Sequence, residues 1–160
     1  MNEQDYCLPD QASSFEMTIE SRCDGLWEAA ESIMRTVRTL PYVQADLDDL
    51  HMALVEALTN AVLHGNHEDP AKTVVVFGRC DAQAQLVIAV TDQGDGFDPA
   101  ALPDPTAAEN VCADHGRGVF LMKRLVNEVE FNRGGRQVVL RKRMEGQPKP
   151  PQTLRLGSAA

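Results

Sequence analysis

The segment running Leu54-Val-Glu-Ala-Leu-Thr-Asn-Ala-Val-Leu-His-Gly65 restricts the fold more than any other stretch of the chain. Leu47, Leu50, Leu54, Leu58, Ala61 and Val62 recur at three-to-four spacing, which predicts one apolar helical stripe, and Gly65 supplies a stop. Glu56 and Asn60 lie four positions apart, about 40° around the axis, and Glu56 stands about 200° from Leu54. Carboxylate and carboxamide therefore project together from a face other than the one that packs. Such a pair can set a proton acceptor beside an oxygen ligand for Mg2+, which suits phosphoryl transfer. Taken alone, it reads first as a solvated helix face. The elements downstream reverse that reading.

Alternation in Ser14–Glu20 predicts a half-buried strand, and Leu26, Ala29, Ala30, Ile33, Met34 and Val37 predict a helix from about Arg22 to Leu40, closed by Pro41. The Glu56 helix spans about Gln44 to His64. Thr73–Cys80 and Gln85–Thr91 read as a hairpin about Asp81-Ala-Gln-Ala84. A long Gly-, Asp-, Pro- and Ala-rich loop runs from Asp92 to about His115, a length typical of functional lids or disorder. A third helix, about Arg117–Val126, precedes strands Asn127–Asn132 and Gln137–Arg143, joined at Gly134-Gly135. The order βααββαββ predicts an α+β fold: a two-layer α/β sandwich with a mixed, mainly antiparallel sheet and helices on one face. The expected organisation is an N-terminal arm over 1–13, one domain over 14–144, and a Pro-rich tail over 145–160.

Composition removes several function classes. A formal charge of −9 disfavours direct nucleic-acid binding. Arg133, Arg136, Arg141, Lys142 and Arg143 do cluster late, and they are expected on the exposed side of a terminal strand. No apolar run approaches ~18 residues, so no membrane span is expected. The N-terminus carries neither a basic region nor an apolar stretch, so a cytoplasmic protein is expected. Cys7, Cys23, Cys80 and Cys112 are scattered, without a CxxC pair, and are expected as free thiols. His64 and His67 straddle Gly65 with no third ligand nearby, which argues against zinc; His64 is expected to cap the helix. His51 is expected to be structural or exposed, and His115 a loop residue able to touch a ligand. Trp27 and the methionines are expected as core and boundary filler.

Two glycine elements follow the Glu56 helix. Strand Gln85–Thr91 ends in Asp92-Gln-Gly94-Asp-Gly96-Phe-Asp98, where paired glycines permit a tight turn and close approach to a flat ligand. Asp92 can accept a hydrogen bond from an exocyclic amine such as that of adenine. A calcium loop fails on spacing, since Gly94 occupies a ligand position and no Glu stands at the twelfth. The second element, His115-Gly116-Arg-Gly118-Val-Phe-Leu-Met, opens a helix whose free N–H groups can face a phosphate. There is no GxxxxGK[ST], and no GxGxxG opens a βαβ unit.

In this order, Glu56-Ala-Leu-Thr-Asn60-Ala-Val-Leu-His64-Gly65, the Asp92–Asp98 turn and Gly116-Arg117-Gly118-Val-Phe-Leu-Met resemble the N, G1 and G2 boxes of the GHKL ATPases, which share the Bergerat fold. The chain is most similar to the anti-sigma serine/threonine kinases of the sporulation and stress-response type, over about residues 14–143. Residues 98–111 resemble that family's lid. The resemblance implies ATP and Mg2+ as cofactors, with Glu56 as general base and Asn60 as Mg2+ ligand. It implies Asp92 on the adenine amine, Gly94 and Gly96 in the pocket floor, and backbone N–H groups of Gly116 and Gly118 on the phosphates. Arg117 and Lys123 are the candidates for the γ-phosphate. The implied partners are a STAS-type anti-anti-sigma protein, a sigma factor and a second copy of the chain. Two alternatives are a non-catalytic ATP-binding partner-switching module and a detached histidine-kinase-like ATPase domain.

Overall fold

Side chains of an extended strand point alternately to its two faces, and Thr73–Cys80 alternates half-buried and buried residues throughout. The structure is a computed structural model that describes residues 13–41, 43, 47–81, 83–102 and 116–144. Five strands appear there: β1 (Ser13–Glu20), β2 (Thr73–Cys80), β3 (Gln85–Thr91), β4 (Glu128–Asn132) and β5 (Gln137–Arg143). They form one sheet in the order β1-β2-β3-β5-β4, with every neighbouring pair antiparallel. The expected mixed sheet is therefore wholly antiparallel among the described residues.

One sheet face meets the helices. In register, Met17 opposes Val76, which opposes Val90, and Ile88 opposes Leu140, which opposes Val129. Onto this face pack α1 (Leu26–Thr39) and α2 (Asp48–Thr59), with α3 (Arg117–Leu125) joining through Met122. Every residue of the predicted stripe, Leu47, Leu50, Leu54, Leu58, Ala61 and Val62, is buried. Each large one removes apolar surface worth about 1.5–3 kcal/mol from water.

The helix boundaries differ from expectation for local reasons. Gly25, in the left-handed region at φ 88°, starts α1 four residues later than the periodicity suggests. Leu40 is extended, as a residue before proline must be, so α1 stops at Thr39. Beyond Thr59 the second helix widens into a π-helical turn, Asn60–Gly65, and the Asn66 N–H reaches back to the Ala61 carbonyl at 2.8 Å. Such widened turns concentrate at functional sites, because they redirect side chains without ending the helix.

Trp27 is not core filler: it is 53% exposed, and its ring rests 4.7 Å from that of His51, which is itself buried. Met52 is likewise exposed, whereas Met34 and Met122 are buried as expected. In the late basic cluster only Arg141 and Arg143 sit on the open sheet face. Arg141 is paired there with Glu130 (2.8 Å) and Glu128 (3.6 Å), which holds the Glu130 carboxyl below its usual range. Lys142 points the other way and donates to the Leu125 carbonyl; Arg133 and Arg136 lie in the β4–β5 turn. Cys23 and Cys80 are free thiols. Both are pushed up to about 11, Cys80 by burial and Cys23 by its hydrogen bond to Glu68. Residues 1–12 of the arm, the tail, Cys7, Cys112, His115 and most of the lid-like segment lie outside the described residues, and Ser13, expected in the arm, opens β1.

Candidate functional site

At the end of β3 the backbone is tied to its surroundings on three sides. The Asp92 N–H donates to the Arg136 carbonyl (2.9 Å), the Gln93 N–H to Asn66 Oδ1 (2.8 Å), and the Phe97 N–H to the Gly134 carbonyl (3.0 Å). Asp92 Oδ1 in turn accepts the Gly94 N–H at 2.8 Å. The two glycines are needed for approach to the protein's own backbone. A Cβ on Gly94 would strike the Gly65 carbonyl, and one on Gly96, already at φ 79°, would strike the Gly134 carbonyl. Gly94 is thus buried behind the turn, while Gly96 faces the cavity beside it.

That cavity, of about 340 Å3, lies between α2 with its π-helical turn, α3 and the end of the sheet. Its wall is mainly apolar, from Ala57, Ala61, Val90, Val119, Met122, Val138 and the edge-to-face pair Phe97 and Phe131, 5.3 Å apart. A few polar groups converge on it: Asn60, His64, His67 and Asp92. A concave apolar slot with sparse polar anchors is the usual form of a small-ligand site. Burial pushes the Asp92 carboxyl up, against the Gly94 N–H and, behind it, the charges of Arg136 and Lys72.

α3 opens on Gly116, left-handed at φ 96°, with no side chain capping its first turn. The amides of Arg117, Gly118 and Val119 have no partners within the helix, which leaves them suited to an anion. Gly118 brings this end of α3 against the polar face of α2. A Cβ there would lie 2.8 Å from Glu56 Oε2 and 3.3 Å from Asn60 Nδ2. The pair predicted from helical spacing therefore converges on one point.

Of the predicted residues, Asn60, Asp92, Gly96, Gly116 and Gly118 line the cavity, and Glu56 stands at its edge through Gly118. Gly94 supports from behind. Arg117 and Lys123 are exposed and do not line it. His64, expected as a cap, and His67, weighed only as half of a disfavoured zinc pair, both do. Asn66, Phe131 and Gly135 carry no chemical signal in the chain, and only contacts distant in sequence bring them to the site, whereas Gly65 and Phe97 lie inside the box-like segments. Among the described residues no three His, Cys, Asp or Glu side chains form a metal cluster. A single amide oxygen at Asn60 would fit Mg2+, which commonly takes one or two protein ligands and completes its shell with phosphate and water.

Comparison with known proteins agrees with this geometry. Residues 19–142 match the family model described as a histidine kinase-like ATPase domain. The serine-protein kinase RsbW of Bacillus velezensis is 32% identical over 114 residues, covering 66% of this chain and 70% of the relative. The enzyme of that name from Bacillus subtilis is 26% identical over 148 residues, 88% of this chain and 91% of the relative. The RsbW of Bacillus licheniformis is 34% identical over 95 residues, 55% of this chain and 58% of the relative. The Glu56/Asn60 helix, the Asp92 turn and the glycine-opened α3 all lie within the matched residues, and the chain belongs to the histidine kinase-like ATPase domain family, within the GHKL superfamily its boxes resemble.

Proposed function

We propose that this chain is an ATP- and Mg2+-dependent serine/threonine protein kinase and anti-sigma factor. Its substrate would be a STAS-type anti-anti-sigma protein. The observation that carries the reading is the convergence of Glu56 and Asn60 on Gly118, where the open end of α3 meets the cavity. The Asp92 carboxylate, with one oxygen engaged by the Gly94 N–H, keeps the other for the adenine amine. The apolar walls take the flat base, and the first amides of α3 hold phosphate oxygens. Glu56 accepts the proton of a serine hydroxyl as that oxygen takes up the terminal phosphoryl group and ADP leaves. Asn60 would hold Mg2+, which supplies charge neutralisation on the phosphates.

That the relatives are serine-protein kinases supports serine as the acceptor. Resemblance supports the remaining parts: sequestration of a sigma factor, release by unphosphorylated antagonist, and a homodimer. Among the described residues no helix is long and apolar enough to cross a membrane. A single domain over 14–144, working in the cytoplasm, is the arrangement we propose.

The test is transfer of labelled phosphate from ATP, with Mg2+, to the STAS protein encoded nearest to this chain. Label on a serine, lost in Glu56→Ala, is the expected result. Tight ATP binding by both forms with no transfer would replace the kinase by a nucleotide-bound partner-switching module.

A further inference from the structure

We infer that Asn66 is a positioning residue for the ligand-reading carboxylate of Asp92. It works through a closed three-residue clamp with Thr73 and Gln93. Asn66 is fully buried, at 0% exposure, directly beyond the π-helical turn. Its Nδ2 donates to the Thr73 carbonyl at 2.9 Å, and its Oδ1 accepts the Gln93 N–H at 2.8 Å. The Gln93 side chain returns across the gap, its Oε1 accepting the Thr73 N–H at 2.8 Å. Three segments far apart in the chain, the helix end, the start of β2 and the end of β3, are thereby locked in one register.

The lock fixes more than the loop. Gly65 and Gly94, the neighbours on either side, approach so closely that a side chain on either would collide with the opposite segment. A Cβ on Gly65 would strike the Asp92 carboxyl itself. The Asp92 side chain therefore lies over Gly65, in a place set by how residues 65 and 66 meet 92–94. Asn66 makes the polar bond of that contact, one residue from Asp92. A carboxylate that reads a planar amine needs its direction held to within about 10–20°, and a buried amide bonded at both its nitrogen and its oxygen is a stiff means of holding it. Asn66 does not line the cavity, so it acts through Asp92 and not on the ligand.

The inference rests on the adenine-binding reading of Asp92, and the experiment separates the two. Binding of ATP and of purine riboside triphosphate, which lacks the exocyclic amine, is measured by calorimetry on the full chain and on Asn66→Ala and Gln93→Ala. The unaltered protein is expected to prefer ATP by about tenfold or more, the worth of a hydrogen bond to a charged acceptor. In Asn66→Ala the preference is expected to fall to about threefold or less. Gln93→Ala removes the exposed arm of the clamp and leaves the backbone bond to Asn66, moves the preference in the same direction and decides the matter if the Asn66 variant does not fold. A residue that only stabilised the fold would weaken both nucleotides alike and leave the ratio untouched. A preference surviving in the folded variants overturns this inference alone. No preference in the unaltered protein overturns the role of Asp92 in reading the amine, and this inference with it.

Discussion

Gly118→Ala separates stability from chemistry at a single methyl group. The added Cβ would lie 2.8 Å from Glu56 Oε2, 3.3 Å from Asn60 Nδ2 and 3.6 Å from Asn60 Oδ1. Ordinary contact for such a carbon begins near 3.4 Å, so the Glu56 carboxylate must retreat by roughly half an ångström or turn off its rotamer. That oxygen ends a flexible side chain, and an off-rotamer torsion costs about 0.5–1.5 kcal/mol. Against this, alanine in a helix is favoured over glycine by about 1 kcal/mol. The two effects nearly cancel. Net stability stays within about 1 kcal/mol, a Tm change of no more than about 2–4 °C. Catalysis has no such offset. A general base displaced by a fraction of an ångström to an ångström loses about 10–100-fold in rate. The expected result is near-native Tm by calorimetry together with a phosphotransfer rate at least about tenfold lower at saturating ATP. Full transfer activity in the alanine variant would refute the placement of Glu56 and Asn60 against the end of α3. A Tm loss beyond about 5 °C would show that Gly118 is needed for packing.

Gly94→Ala should behave in the opposite way. Its Cβ meets the Gly65 carbonyl, backbone against backbone, so the variant loses about 1–3 kcal/mol and several degrees of Tm, read by thermal denaturation. Asp92→Asn should abolish the preference for adenine yet raise stability at pH 7. Burial raises the Asp92 pKa in the folded state, so the folded protein holds that proton more tightly than the unfolded chain. Ionisation therefore penalises folding as pH rises from the ordinary carboxylate range through the raised value. The stability gap between the Asp92→Asn variant and the unaltered protein is widest above that window and closes as pH falls below it. A gap that widens on acidification would contradict the sign.

How much was legible in the chain depends on the distance over which each feature is set. The apolar stripe of α2 is a local pattern of period 3.6, and every member is buried as its spacing requires. Thr73–Cys80, Gln85–Thr91 and Gln137–Arg143 keep their expected bounds, because short runs of strand-forming residues between turn residues are also a local signal. Trp27 misled because apolar character says nothing about which face of α1 a residue occupies. The start of α1 was missed because Gly25 decides it by a left-handed turn that periodicity does not register.

The site divides along the same line. Helical geometry alone placed Glu56 and Asn60 on one face, and the glycine-flanked Asp92 and Gly116 marked two turns able to meet a ligand. What those turns meet was decided by tertiary structure. Gly94 and Gly96 are small because the backbones of Gly65 and Gly134 pass beside them, and Gly118 is small because Glu56 and Asn60 lie across from it. Asn66 is a plain polar residue in the chain and a fully buried clamp in the fold. Spacing along a helix or strand determines direction, which one sequence contains. Close approach between segments 27 residues apart, as at Asn66 and Gln93, exists only once the sheet and helices have packed.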